Sequence, residues 1–287
     1  MKTTILASLV LAAALAGTAR AAEPVNVLAA ENFYGDLAQQ IGGTHVKVAN
    51  ILSNPDADPH LFETSPSTAR DVAGAAIVVY NGADYDPWME KLLSASPQPA
   101  RTAIVAADLV GAKVGDNPHL WYKPETFPAV AKALAAELEK RDPADAADFA
   151  ANLARFNASL QPVTDGIAAI KAKHGGEKVT ATEPVFGYMA AAMGLDMLNE
   201  PFQTAIMNEA EPSPSQVAAF EKSLSDGTAK VLFYNSQVTD DTTERLKKLA
   251  QDHHVAIVGV TETEPAGQTI ANWLKGQVDE VAKALGD

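Results

Sequence analysis

Ala146-Ala147-Asp148-Phe149-Ala150-Ala151-Asn152-Leu153-Ala154-Arg155-Phe156-Asn157-Ala158-Ser159-Leu160-Gln161-Pro162-Val163-Thr164-Asp165-Gly166-Ile167-Ala168-Ala169-Ile170 is the stretch on which the fold turns. Phe149, Leu153, Phe156, Leu160, Val163, Ile167 and Ile170 recur at alternating steps of four and three, which puts one apolar seam along an amphipathic helix. Unbroken to Lys173, that helix would run about 40 Å at ~1.5 Å per residue. Pro162 should kink it and Gly166 should weaken it. A coiled-coil dimer is the rival reading, but the seam is short and its flanks offer few complementary charges. A stiff connector explains it better, because similar patterns lie on either side.

Before the seam, Val25–Ala30, Val46–Leu52, Ile77–Asn81 and Thr102–Ala106 are short apolar runs bounded by Gly, Asn or Asp, and read as strands. Phe33–Ile41 and Ser67–Ala73 read as helices, the second started by Ser65-Pro66-Ser67. After the seam the theme repeats, with strands at Lys178–Ala181, Val231–Asn235 and Ala256–Val260. Helices are expected at Phe186–Met193, Ser215–Leu224 and Thr242–Gln251. Strands apolar on both faces and separated by helices imply parallel sheets covered on both sides. The expected fold is therefore α/β: two lobes, each a mostly parallel sheet flanked by helices, joined by one long helix. The expected division is a signal peptide at 1–21, an N-terminal lobe at 22–145, the linking helix at 146–174 and a C-terminal lobe at 175–287.

The signal peptide follows from Lys2, the apolar run Ile5–Leu15 and the small-x-small site Ala19-Arg20-Ala21. That run is too short to span a bilayer, and no later segment is long enough. The chain contains no cysteine, which removes disulfides, thiolate metal sites and a lipid-modified cysteine from consideration. The expectation is a periplasmic protein, secreted, not lipid-anchored, not membrane-inserted, and a monomer. With 47% hydrophobic residues there is enough apolar surface for two cores. A formal charge of −14 argues against nucleic acid or an anionic membrane as partner.

Chemistry concentrates in two histidine segments, Asn54-Pro55-Asp56-Ala57-Asp58-Pro59-His60 and Asp116-Asn117-Pro118-His119-Leu120-Trp121. In each, a proline fixes the backbone just before a lone imidazole, and acids or amides hold the turn. Two further candidates follow strands of the second half: Glu183 in Thr182-Glu183-Pro184, and either Glu262 or Glu264 in Thr261-Glu262-Thr263-Glu264-Pro265. Ligands of open α/β sheets collect at the carboxyl ends of strands, so both lobes would offer donors to the cleft between them. Two imidazoles and two carboxylates suit Mn²⁺, Zn²⁺ or Fe²⁺ rather than Cu(I), Ca²⁺ or Mg²⁺. Singly, each residue has a plain alternative: a solvated loop histidine, an acid at a helix N-terminus for Glu183, surface charges for Glu262 and Glu264. His253-His254 reads as a solvated helix end, and His45 and His174 are assigned no role.

Taken together, the motifs resemble the cluster A-I metal-binding solute receptors of ABC transporters, the zinc and manganese receptor family. The resemblance spans essentially the whole mature chain. It rests on Glu31-Asn32-Phe33-Tyr34, Asp58-Pro59-His60, Ser65-Pro66-Ser67, Asn117-Pro118-His119-Leu120-Trp121, Phe186-Gly187-Tyr188 and Glu209-Ala210-Glu211-Pro212-Ser213-Pro214. It implies two α/β lobes on one long helix, and a divalent metal, Mn²⁺ or Zn²⁺, carried as cargo to an inner-membrane ABC permease. By the same resemblance His60 and His119 fall on the two N-lobe ligand positions. Glu183 falls on the third, which is histidine in many zinc receptors and glutamate in many manganese receptors. The fourth is an aspartate after the last strand, matched here by Glu262, which follows the strand directly, with Glu264 as the alternative. Glutamate for aspartate is a departure, as is the lack of the long His-rich loop common in zinc receptors. Two other functions are compatible with parts of the sequence. A receptor for a chelated metal or small organic solute would use Trp88 and Trp121 in an aromatic cleft. A metal-dependent hydrolase would need an open coordination position and a substrate pocket beside the metal, and no nucleophile or H-E-x-x-H-type motif supports it.

Overall fold

The computed structural model describes residues 23–54, 62–237 and 240–287. Among these residues the strands form two four-stranded sheets with one winding. The first contains β1 (Val25–Glu31), β2 (Val46–Leu52), β3 (Ile77–Tyr80) and β4 (Thr102–Val105) in the order β2-β1-β3-β4. The second contains β5 (Lys178–Ala181), β6 (Asp196–Leu198), β7 (Val231–Asn235) and β8 (Ala256–Val260) in the order β6-β5-β7-β8. Every pairing is parallel. The central strands β1, β3, β5 and β7 carry the apolar runs because both their faces are covered, whereas edge strand β2 alternates. In each lobe the chain leaves its first strand toward one edge and returns on the other side. The crevice of each sheet thus opens where β1 and β3, or β5 and β7, end.

The helices of the first lobe are α1 (Asn32–Gly42), α2 (Pro66–Gly74), α3 (Pro87–Ala95), α4 (Ala106–Val110) and α5 (Thr126–Arg141). Ser65 caps α2 as expected: its Oγ accepts from Thr68 N at 3.2 Å, with Pro66 in the first turn, where its missing N–H costs nothing. The connecting segment forms α6 (Ala146–Ser159) and α7 (Gln161–His174) in direct succession. The turn falls at Leu160, whose carbonyl accepts from both Val163 N and Thr164 N at 3.1 Å, just where Pro162 could not continue the ladder. The seam is used within the chain: Phe149, Phe156, Leu160, Val163, Ile167 and Ile170 are all buried. Helix α6 packs on α1 and α5, so its apolar face serves the first lobe rather than a coiled-coil partner.

The second lobe carries α8 (Gly187–Ala192), α9 (Glu200–Met207), α10 (Pro214–Ser225), α11 (Asp241–Asp252) and α12 (Ile270–Leu285). Helix α7 packs on α12. Gly166 is required there, because a Cβ at that position would lie 2.6 Å from Val278 Cγ1. One apolar core runs through both lobes. Its bridge is aromatic. Phe33 meets Trp121 at 5.1 Å and Trp273 at 6.0 Å, Tyr122 meets Trp273 at 5.5 Å and Phe186 at 4.9 Å, and Phe186 meets Phe233 at 4.7 Å. Such ring pairs add ~0.5–1.5 kcal/mol each beyond their area. Trp121 is thus a core residue, only 1% exposed, and not the wall of an aromatic cleft.

Candidate metal centre

His119 is aimed by its own motif. Asn117 Nδ2 donates to Pro184 O (2.7 Å), which fixes the amide so that Oδ1 is its acceptor. That Oδ1 then accepts from the His119 backbone N–H (3.1 Å) and from the ring at Nδ1 (2.6 Å). With the proton held at Nδ1, the lone pair lies on Nε2, 3.7 Å from Glu262 Oε2. The proline between them supplies the carbonyl that accepts from Asn81 Nδ2 (2.8 Å), anchoring the loop to the end of β3. His119 is fully buried.

Glu183 and Glu262 reach the same point from the second lobe. Glu183 follows β5 and begins the tight turn Pro184–Phe186, and Glu262 lies just past β8. Asn235, the last residue of β7, joins them. Its Nδ2 donates to Glu183 Oε2 (2.6 Å) and to Glu262 Oε1 (2.7 Å), while its Oδ1 accepts from Gln237 N (3.0 Å). Both carboxylates are buried, and among the described residues neither pairs with Lys or Arg. Two buried carboxyl groups and the Nε2 side of an imidazole form a compact donor set of the kind that suits a cation.

Tyr85 completes the described geometry from the first lobe, its hydroxyl donating to Glu262 Oε2 at 2.9 Å. Burial, then the Glu262 and Glu31 carboxylates, push the phenol well above its ordinary range, so it stays a donor. It is presented by a strained turn. Ala83 and Asp84 both adopt left-handed backbone (φ 53° and 67°), a conformation that costs a non-glycine residue ~1–2 kcal/mol. Asp86 pins that turn by accepting from Asn81 N (2.7 Å) and Gly82 N (2.8 Å). Burial raises the Asp86 carboxyl to about 6. Its neighbour Glu31 is also raised well above the usual carboxylate range, by burial and then by Asp86 itself.

Of the five ligand candidates, the structure brings together His119, Glu183 and Glu262. Glu264 is placed elsewhere: its backbone exchanges two hydrogen bonds with the Asn32 side chain (2.7 and 3.0 Å), and burial and Asp36 raise its carboxyl to about 8. His60 lies outside the described residues, as do Pro55 to Pro59 and residues 1–21, where a signal peptide is expected. Asn235 and Tyr85 were not among the expected site residues. Asn235 sits at the strand end that borders the crevice, and that position was the available signal. Tyr85 carried none, since its reach depends on a turn in which two non-glycine residues, Ala83 and Asp84, follow Gly82 in left-handed backbone. His253 and His254 end α11 exposed, as read, and His174 bonds Glu177 (2.8 Å) and Asp287 (3.2 Å) away from the centre.

Two like-wound α/β lobes with one core, and with buried donors from both meeting at their strand ends, have the architecture of a two-lobed binding protein. The sequence profile of the family described as zinc-uptake complex component A, periplasmic (ZnuA), matches residues 27–284, and the chain belongs to that family. Its members are substrate-binding components of transport systems. The chain is 23% identical over 305 residues to the manganese ABC transporter substrate-binding lipoprotein PsaA of Streptococcus mitis, covering 98% of this chain and 96% of the relative. It is 24% identical over 282 residues to the manganese-binding lipoprotein MntA of Bacillus subtilis, covering 92% and 90%. The fold superposes on the periplasmic zinc-binding protein TroA from Treponema pallidum with a TM-score of 0.76 at 18% identity, covering 93% of this chain and all of the other. One expectation is corrected by these relatives. Both PsaA and MntA are named lipoproteins, which overturns the expectation of a protein without a lipid anchor.

Proposed function

We propose that this protein captures a divalent transition metal, Mn²⁺ or Zn²⁺, between its lobes and delivers it to an ABC permease, acting as a monomeric carrier and not as an enzyme. The ligands in this reading are His60, His119, Glu183 and Glu262, with Glu264 as the less favoured fourth because its carboxyl lies beside Asp36. Residues 22–145 and 175–287 are the two lobes and 146–174 the connector. The observation that carries the reading is the Asn235 clamp on Glu183 and Glu262 facing the Nε2 side of His119. Two carboxylates and imidazole suit manganese, and Glu183 leans the same way, although the affinity order of divalent ions favours zinc at almost any such site. The names of the relatives, manganese for PsaA and MntA and zinc for TroA, bracket the same pair.

The test is elemental analysis of protein isolated without chelators, with Mn²⁺ and Zn²⁺ competition titrations of the stripped form. One tightly held equivalent is expected, with tight binding largely lost in His119→Ala. Protein without metal, and without heat stabilisation by either ion, would overturn the reading.

A further inference from the structure

At the far end of the first lobe, three side chains unused by the interlobe centre converge. His45 immediately precedes β2, whose first residue pairs with the start of β1, so it lies where the strands begin. His119 is anchored beside Asn81, where β3 has ended. His45 Nδ1 is 3.1 Å from Asp145 Oδ2, and its Nε2 is 3.2 Å from Asp148 Oδ2. One donor atom from each of the three lies within 4.8 Å of the others.

The donors stand on fixed elements. Asn152 Nδ2 donates to Ile41 O (2.8 Å), tying α6 to the end of α1, and Gln39 Nε2 holds Gly43 O (2.7 Å) in the turn that leads to His45. The imidazole lies edge-on against the buried ring of Phe149 at 5.3 Å. Asp145 and Asp148 are three apart at the start of α6 and share a face. Among the described residues no Lys or Arg pairs with either carboxylate, so the His45 imidazole is the one basic group described against them. A metal needs one ring nitrogen, and the Asp148 side chain, 66% exposed, is free to swing its oxygen to it. One imidazole, two carboxylates and solvent make a borderline donor set with open coordination positions.

We propose that His45, Asp145 and Asp148 form a second, peripheral site for a divalent transition metal such as zinc, separate from the interlobe centre and weaker because it is exposed. The reading is independent of the cargo assignment. The test is calorimetric titration of the stripped full chain with zinc alone. The parent protein should show a tight class and a weaker second class. His45→Ala and the Asp145→Asn/Asp148→Asn double variant should each weaken the second class at least tenfold while keeping the tight one, which also reports that they fold. His119→Ala should lose the tight class and keep the weak one. A single class in the parent, or a weak class that survives His45→Ala, would overturn the proposal and leave the triad as a proton-bridged ion pair only.

Discussion

Asn235 holds two acids with one amide nitrogen, and its loss should be felt as if a ligand had moved. Asn235→Ala is expected to weaken metal binding ~10–100-fold, the usual effect of losing a partner that orients ligands, with little change in far-UV circular dichroism. Competition titration against a chelator of known affinity measures it. Glu183→His should move preference toward zinc, and an unchanged Mn²⁺/Zn²⁺ ratio would count against the role given to Glu183. Glu264 makes a different prediction. In the folded chain its carboxyl is pushed up to about 8, whereas an unfolded glutamate titrates near ~4.3. Between those values the native state holds a proton that the unfolded state has released, so stability falls as pH rises through the window. Glu264→Gln should therefore gain stability over the parent at pH 8 and match it at pH 4, read from urea unfolding at both. The His119 motif and Glu183, which the structure brings near one another, stood out in the sequence because proline, amide and acid around a donor are local signals. The choice between Glu262 and Glu264 could not, because it depends on which way the chain turns two residues after a strand.

Helix α7 is where element packing is most exposed to a single methyl. An alanine at an ordinary helix interior gains about 1 kcal/mol over glycine. At Gly166 that methyl would meet Val278 Cγ1 at 2.6 Å, and overpacking costs ~1–3 kcal/mol. Gly166→Ala should thus destabilise by up to about 2 kcal/mol, and Val278→Ala added to it should recover part of the loss in the same denaturation experiment. Strands β2, β5, β7 and β8 were legible to the residue because they are short, β-branched and bracketed by polar turns. Strand β6 was not, being only Asp196–Leu198 and held by register with β5 rather than by its own pattern. Helix α12 was also unread: it carries Gly276, and its buried stripe acquires meaning only against α7 and the aromatic bridge.

Across the whole molecule, the lobes share more than a connector. Asn32 and Glu264, Asp36 and Ile270 N (3.1 Å), Tyr122 and Thr261 O (3.0 Å), and Tyr188 and Asn117 O (2.8 Å) bond from one side to the other, over the same seam as the aromatic core. Separating the lobes would expose that core, so a wide hinge motion is disfavoured. Stripped and metal-loaded protein should give nearly superimposable small-angle scattering curves. A marked contraction on loading would contradict a shared core. The seam also bears on traffic through the carrier. If the centre holds its ion at nanomolar strength and captures it at a typical ~10⁶ M⁻¹s⁻¹, spontaneous escape takes on the order of ten minutes. A docking partner that shifted the Asn235 amide would loosen both acids in one movement, because that single nitrogen bonds the two of them.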